Sequence, residues 1–158
     1  VSTETDEIHV IFLCWGNICR SPMAERIAEK MAADEGLTRI RFTSAATSTD
    51  ELGNPIDPRA VAVLAQSGYR TSNHHAHQIT PAEIRSATLI VGMEKLHLDR
   101  VRKLVPDADN LALMTDFDPN ATPGSGIQDP WYGSPAGFVT TRTQLEQAIP
   151  GLLTHLTA

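Results

Sequence analysis

The feature that most narrows the fold is a strand signal running without a spacer into a loop and a capped helix. Ile8 to Leu13 (IHVIFL) is a nearly continuous apolar run, and Cys14 to Arg20 follows it at once. Such a run suits a strand buried on both faces, as in a parallel sheet. Ser21 reads as the cap of the following helix, with Pro22 at its first position. Ala24, Ile27, Ala28 and Met31 then fall on one apolar stripe, and Gly36 closes the helix.

The alternation continues along the chain. Arg39 to Ala45 reads as a second strand, Asp57-Pro58 opens a helix that Gly68 closes, and Thr80 to Glu83 has capping-box spacing for a short third helix. Ala87 to Met93 (ATLIVGM) is another buried strand, followed by a charged helix from Glu94 to Val105 and a short fourth strand from Asn110 to Met114. Thr115 to Gly133 is rich in Asp, Pro and Gly and reads as a long functional loop. A last helix begins near Ser134-Pro135, and Pro150 is expected to kink or end it. Strands alternating with helices predict an α/β fold with a central parallel sheet, whose ligands bind beyond the carboxyl ends of the strands. Both the Cys14–Arg20 loop and the long loop lie at such ends.

Composition sets the bounds. The chain has 158 residues, 41% hydrophobic and 20% charged, which fits one globular domain with one core. A formal net charge of -6 argues against nucleic acid or anionic membranes as partners. Val1 to Glu7 is polar and acidic, without the apolar stretch of a secretory signal, and reads as a disordered lead-in to a single domain over 8–158. The cysteines are Cys14 and Cys19, and a reducing cytoplasm is the expected setting, with export lacking a signal peptide left open.

Cys14-Trp15-Gly16-Asn17-Ile18-Cys19-Arg20-Ser21 carries the chemistry. A helix start presents unpaired N–H groups and the positive end of a dipole, and successive loop N–H groups can curl into a nest around an anion. Gly16 is expected to supply a positive φ for this curl, with Asn17 the next most tolerant residue. Arg20 adds a planar fork matched to two phosphate oxygens. Cys14 lies at the mouth of this positive field, which favours a thiolate placed for in-line attack on phosphorus. Ser21 can donate its hydroxyl to the Cys14 sulfur. A buried structural thiol would not explain Arg20 and the capped helix beside it.

Cys-x5-Arg-Ser directly after the first strand, and the fuller CxGNICRSPMAE, resembles the low-molecular-weight protein tyrosine phosphatase family. The resemblance covers the whole chain. It implies a four-stranded parallel sheet flanked by helices on both faces, a flavodoxin-like or Rossmann-like three-layer arrangement. It implies a hydrolase that cleaves phosphotyrosine or small aryl phosphates through a phosphocysteine, without metal or cofactor, and in Asp129-Pro130-Trp131-Tyr132 it implies a general acid at Asp129. Asp116 and Asp118 look like the family's structural Asp-Pro turn. Trp15, Trp131 and Tyr132 are the expected walls of a slot for a flat aryl ester, although each could instead pack under a loop. His74 matches a histidine that holds the phosphate loop through Asn17, with Glu94 in the place of its acidic partner; a plain surface histidine is the other reading. Ser44 matches a serine that braces the loop. His77 stands where an arginine is common. Cys19 matches a second thiol that forms a reversible disulfide with the nucleophile.

The rivals are an arsenate reductase, a protein arginine phosphatase and an inactive phosphate-binding module. The first relays a disulfide through downstream cysteines, and none follows Cys19. Arginine phosphatases on this scaffold tend to carry threonine where Ile18 stands. A binding module would not need Cys14, Arg20 and Asp129 together. A monomer is expected, with a weak dimer open.

Overall fold

The computed structural model describes residues 7–158. The predicted lead-in therefore lies outside the described residues except for Glu7, which accepts from Arg41 Nε at 2.8 Å. Strands β1 (Ile8–Cys14), β2 (Ile40–Ala46), β3 (Leu89–Gly92) and β4 (Leu111–Leu113) form one sheet in the order β2-β1-β3-β4, every pair parallel. The helices are α1 (Arg20–Asp34), α2 (Pro58–Gln66), α3 (Pro81–Ser86), α4 (Lys95–Leu104) and α5 (Ala136–Thr157).

The apolar run of β1 explains the layering. Val10 and Phe12 belong to one core, which holds Met23 and Ile27 of α1, Leu64 of α2 and Leu145 and Leu152 of α5. Ile11 and Leu13 point the other way into a second core with Ile84 of α3 and Val101 of α4. A central strand buried on both faces has to be apolar throughout. The strand order reverses between β1 and β3, so the crevice beyond their carboxyl ends is where an α/β sheet binds its ligand.

Most boundaries follow their local signals. Asp57 caps α2 by accepting from Arg59 N at 2.8 Å, and Thr80 and Glu83 form the predicted capping box. Gly36 and Gly68 take φ of +72° and +77° just past α1 and α2, the left-handed stop that glycine permits. Two expectations fail. Helix α1 starts at Arg20, two residues early, with no side-chain cap, and the Ser21 hydroxyl is drawn into the Cys14 loop instead. Helix α5 runs through Pro150 to Thr157. An interior proline costs about 3 kcal/mol. Here the buried Ile149, Leu152 and Leu153 on either side offset it, as does the backbone of Phe117, pressed so closely on Gly151 that a side chain there would clash.

Candidate active site

The loop between β1 and α1 is held from outside by its carbonyls. Thr47 N donates to Cys14 O at 2.9 Å, Ser48 N to Trp15 O at 3.1 Å and Asp57 N to Ile18 O at 2.9 Å. His74 Nε2 donates to Asn17 O at 2.7 Å. By contrast, none of the N–H groups of Trp15, Gly16, Asn17, Ile18 and Cys19 has an acceptor among the described residues. A loop that spends its carbonyls on surrounding groups and leaves successive N–H groups without protein acceptors, ahead of a helix start, fits an anion nest.

Asn17 makes the turn. It is fully buried and takes φ of +62°, the left-handed conformation expected of Gly16. Its amide justifies the strained backbone: Nδ2 donates to Ser21 Oγ at 2.8 Å, and Oδ1 accepts from His77 N at 3.2 Å. Gly16 serves a different purpose, since a Cβ there would come within 3.1 Å of Glu51 Cγ. Burial holds His74 below the usual histidine range, against its bond to Asn17, so a neutral ring braces the loop.

Cys14 ends β1, almost wholly buried, with its Sγ 3.0 Å from Ser21 Oγ. Cys19 is also a buried free thiol, pushed well above its ordinary range first by burial and then by the charge of Asp57.

Arg20 crosses from α1 to the other side of the crevice. Both N–H groups of its NH1 are committed, one to the Glu94 carboxylate and one to Ile127 O at 2.8 Å. Its NH2 lies 3.5 Å from Asp129 Oδ2. Glu94 is thus the partner of Arg20 and not of His74. It follows β3, on the arginine side of the crevice, and its extra methylene lets it reach the guanidinium. Ser44 is also reassigned: it donates to Glu25 Oε1 at 2.7 Å. Parallel register sets Ser44 beside Phe12, two residues below Cys14, which is too low on the sheet to reach the loop.

Asp129 comes from the long loop, which closes in the short turn Pro130–Tyr132. Its Oδ1 accepts from Trp131 N at 3.0 Å. Trp15, Trp131 and Tyr132 all line a cavity of about 130 Å³ above Cys14 and Arg20. That compares with the ~150 Å³ that takes up one benzene ring. Trp15 is fixed by its Nε1 donating to Asp50 Oδ2 at 2.8 Å and by Arg100 stacked 4.6 Å over its ring. Arg59 sits 5.0 Å from the Trp131 ring centre, whereas Tyr132 stands 86% exposed at the mouth.

Four contributors escape a reading of the sequence. Asp50 and Glu51 line the mouth, and the carbonyl of Ile127 anchors Arg20. His97 accepts from Glu94 N at 3.0 Å through Nδ1 and so sets the carboxylate that holds Arg20. A histidine three residues into a helix after an acidic residue is a capping signal, and it was the one available clue. Burial, and then the charges of Arg20 and Arg100, lower His97 to about 3.

Comparison with known proteins agrees with this geometry. A family model described as "Low molecular weight phosphotyrosine protein phosphatase" matches residues 9–158. The chain is 37% identical over 150 residues to low molecular weight protein-tyrosine phosphatase A of Mycobacterium tuberculosis, covering 94% of this chain and 91% of the relative. It is 38% identical over 149 residues to a low molecular weight protein-tyrosine-phosphatase of Streptomyces coelicolor, covering 91% and 90%. Among solved structures, a protein tyrosine phosphatase from Entamoeba histolytica superposes with a TM-score of 0.90 at 26% identity, covering 96% of this chain and 97% of that one.

Proposed function

The chain belongs to the low molecular weight phosphotyrosine protein phosphatase family, and from that premise we propose that it hydrolyses phosphotyrosine and related aryl phosphate monoesters through a phosphocysteine on Cys14. The observation that carries the reading is the set of loop N–H groups, from Trp15 to Cys19, without a protein acceptor around the Cys14 thiol.

In this mechanism the phosphoryl oxygens take the loop N–H groups and the free edge of Arg20. Because NH1 is fully committed, Nε and NH2 are the pair left for two phosphate oxygens. The Cys14 thiolate attacks phosphorus in line as the P–O bond to the aryl group breaks. Asp129 gives its proton to the departing phenolate oxygen. The three equatorial oxygens stay on donors already in place, which is electrostatic stabilisation without reorganisation. Asp129, now a carboxylate, takes a proton from water as that water attacks the phosphocysteine. The P–S bond breaks, and Ser21 Oγ–H stabilises the returning thiolate. Trp15, Trp131 and Tyr132 wall the ring, and flat aromatic walls favour a flat aryl ester over phosphoserine.

We place this activity in a single phosphatase domain over 8–158, acting as a monomer in the cytoplasm. The two free thiols favour a reducing setting. Among the described residues no helix is long and apolar enough to cross a membrane.

The test is phosphate release from matched phosphotyrosine, phosphoserine and phosphoarginine peptides, with EDTA present and Cys14→Ser as control. Release from phosphotyrosine alone, lost in the variant, is expected. Release from phosphoarginine instead would keep the nucleophile and overturn the reading of Ile18. Phosphate binding without turnover would make the chain a binding module.

A further inference from the structure

A second cavity of about 580 Å³ adjoins the slot and shares Trp15, Arg20, Asp129 and Tyr132 with it. The remaining walls are Glu94, Leu96, His97, Gly126 and Gln128. Its polar groups are only partly spent internally. Glu94 gives Oε1 to Arg20 yet leaves 35% of its side chain exposed. His97, 1% exposed, accepts from Glu94 N through Nδ1, and its Nε2 has no partner.

The charges around the two cavities are lopsided. Among the described residues, Arg20 is the one cationic side chain that lines either cavity, against the carboxylates of Asp50, Glu51, Glu94 and Asp129. The nearby arginines are engaged elsewhere: Arg59 pairs with Asp57 at 3.0 Å, and Arg100 is stacked on Trp15. A phosphate ester on Nε and NH2 of Arg20 adds a dianion while Glu94 keeps its bond to NH1, so the partly exposed Glu94 carboxylate lies in a region left with excess negative charge.

We infer that the second cavity is a subsite for a lysine or arginine side chain flanking the phosphotyrosine, held by Glu94 between Trp15 and Tyr132. This rests on the phosphotyrosine phosphatase reading and adds a sequence preference to it. Leu96 rims the cavity, is 43% exposed and takes no part in the slot, so its charge can be changed without touching the reacting groups.

The experiment compares kcat/KM at low salt for phosphotyrosine peptides identical except for Lys, Ala or Glu at the flanking positions. The wild-type chain is expected to favour Lys over Glu by about five-fold or more, the scale of one partly exposed ion pair. Leu96→Arg should abolish or reverse that preference and Leu96→Asp should increase it, with free phosphotyrosine turned over equally by all three. Added salt should shrink the preference. Equal rates for the three peptides in the wild type would overturn the subsite, as would a preference that survives Leu96→Arg. A preference lost only in Asp50→Asn with Glu51→Gln would overturn it too, by assigning the discrimination to the opposite rim. Failure to release phosphate from any phosphotyrosine compound would instead remove the phosphatase reading on which the inference stands.

Discussion

Ser21 Oγ sits 3.0 Å from Cys14 Sγ while accepting a hydrogen bond from Asn17 Nδ2 at 2.8 Å. Because the serine oxygen already receives the amide proton, its own proton is free for the sulfur; Ala45 O, at 3.5 Å, is the weaker competitor. The interaction matters most when sulfur leaves phosphorus as a thiolate. Ser21→Ala should therefore slow dephosphorylation of the enzyme by about ten- to hundred-fold, the worth of a hydrogen bond to a charged group. Rapid-quench kinetics should show a burst of phenol followed by a slow steady state, with phosphocysteine accumulating. A uniform loss in both phases would assign Ser21 to loop structure alone.

Asp129 reaches the slot from the far loop, close to Arg20 NH2 at 3.5 Å. Removing a general acid lowers rates by about 10²–10⁴. Asp129→Ala is expected to show that loss with poor aryl leaving groups and a much smaller one with good leaving groups, measured by first-turnover phenol release. Equal losses across the series would take Asp129 out of the acid role.

His97 predicts an acid branch in the stability profile. Its folded value, about 3, lies below the ordinary histidine value near 6.5. Above ~6.5 the ring is neutral in both states and contributes no pH dependence. Below it the unfolded chain takes up a proton that the folded chain refuses until about 3, so stability falls through that window. His97→Gln keeps an acceptor for Glu94 N and removes the titration. Thermal unfolding from pH 7 to pH 4 should then decline less steeply than in the wild type. Parallel profiles would show that His97 does not govern the acid branch.

Cys19 bears on oxidation. Burial and neighbouring acidic groups hold its thiol protonated, so it attacks an oxidised Cys14 slowly. Peroxide treatment should give a Cys14–Cys19 disulfide that dithiothreitol reverses, forming faster as pH rises, by mass spectrometry of quenched samples. Irreversible oxidation of Cys14, the same in Cys19→Ser, would exclude a protective bridge.

The sequence was legible wherever the signal was local. The β1 run, the caps at Asp57 and Thr80 and the glycine stops each act within a few residues, and each appears where expected. Long-range partners were harder. The family resemblance assigns Ser44 and Glu94 to the phosphate loop and to His74, but parallel register and the crossing of Arg20 give them Glu25 and Arg20 instead. Gly16 and Asn17 exchanged roles because the bonds that stabilise a left-handed asparagine come from His74 and His77, far along the chain. Pro150 obeyed its surroundings and not its propensity, since the packing of α5 against the core holds the helix together.

The two bonds from Arg20 NH1 fasten α1 to the start of α4 through Glu94 and to the far loop through Ile127. The guanidinium cannot swing without dragging the backbone two residues before Asp129. Any displacement of that loop must withdraw the proton source and loosen the hold on phosphate in a single motion. The acid and one anchor of the phosphate-binding arginine are thereby tied to the same stretch of backbone.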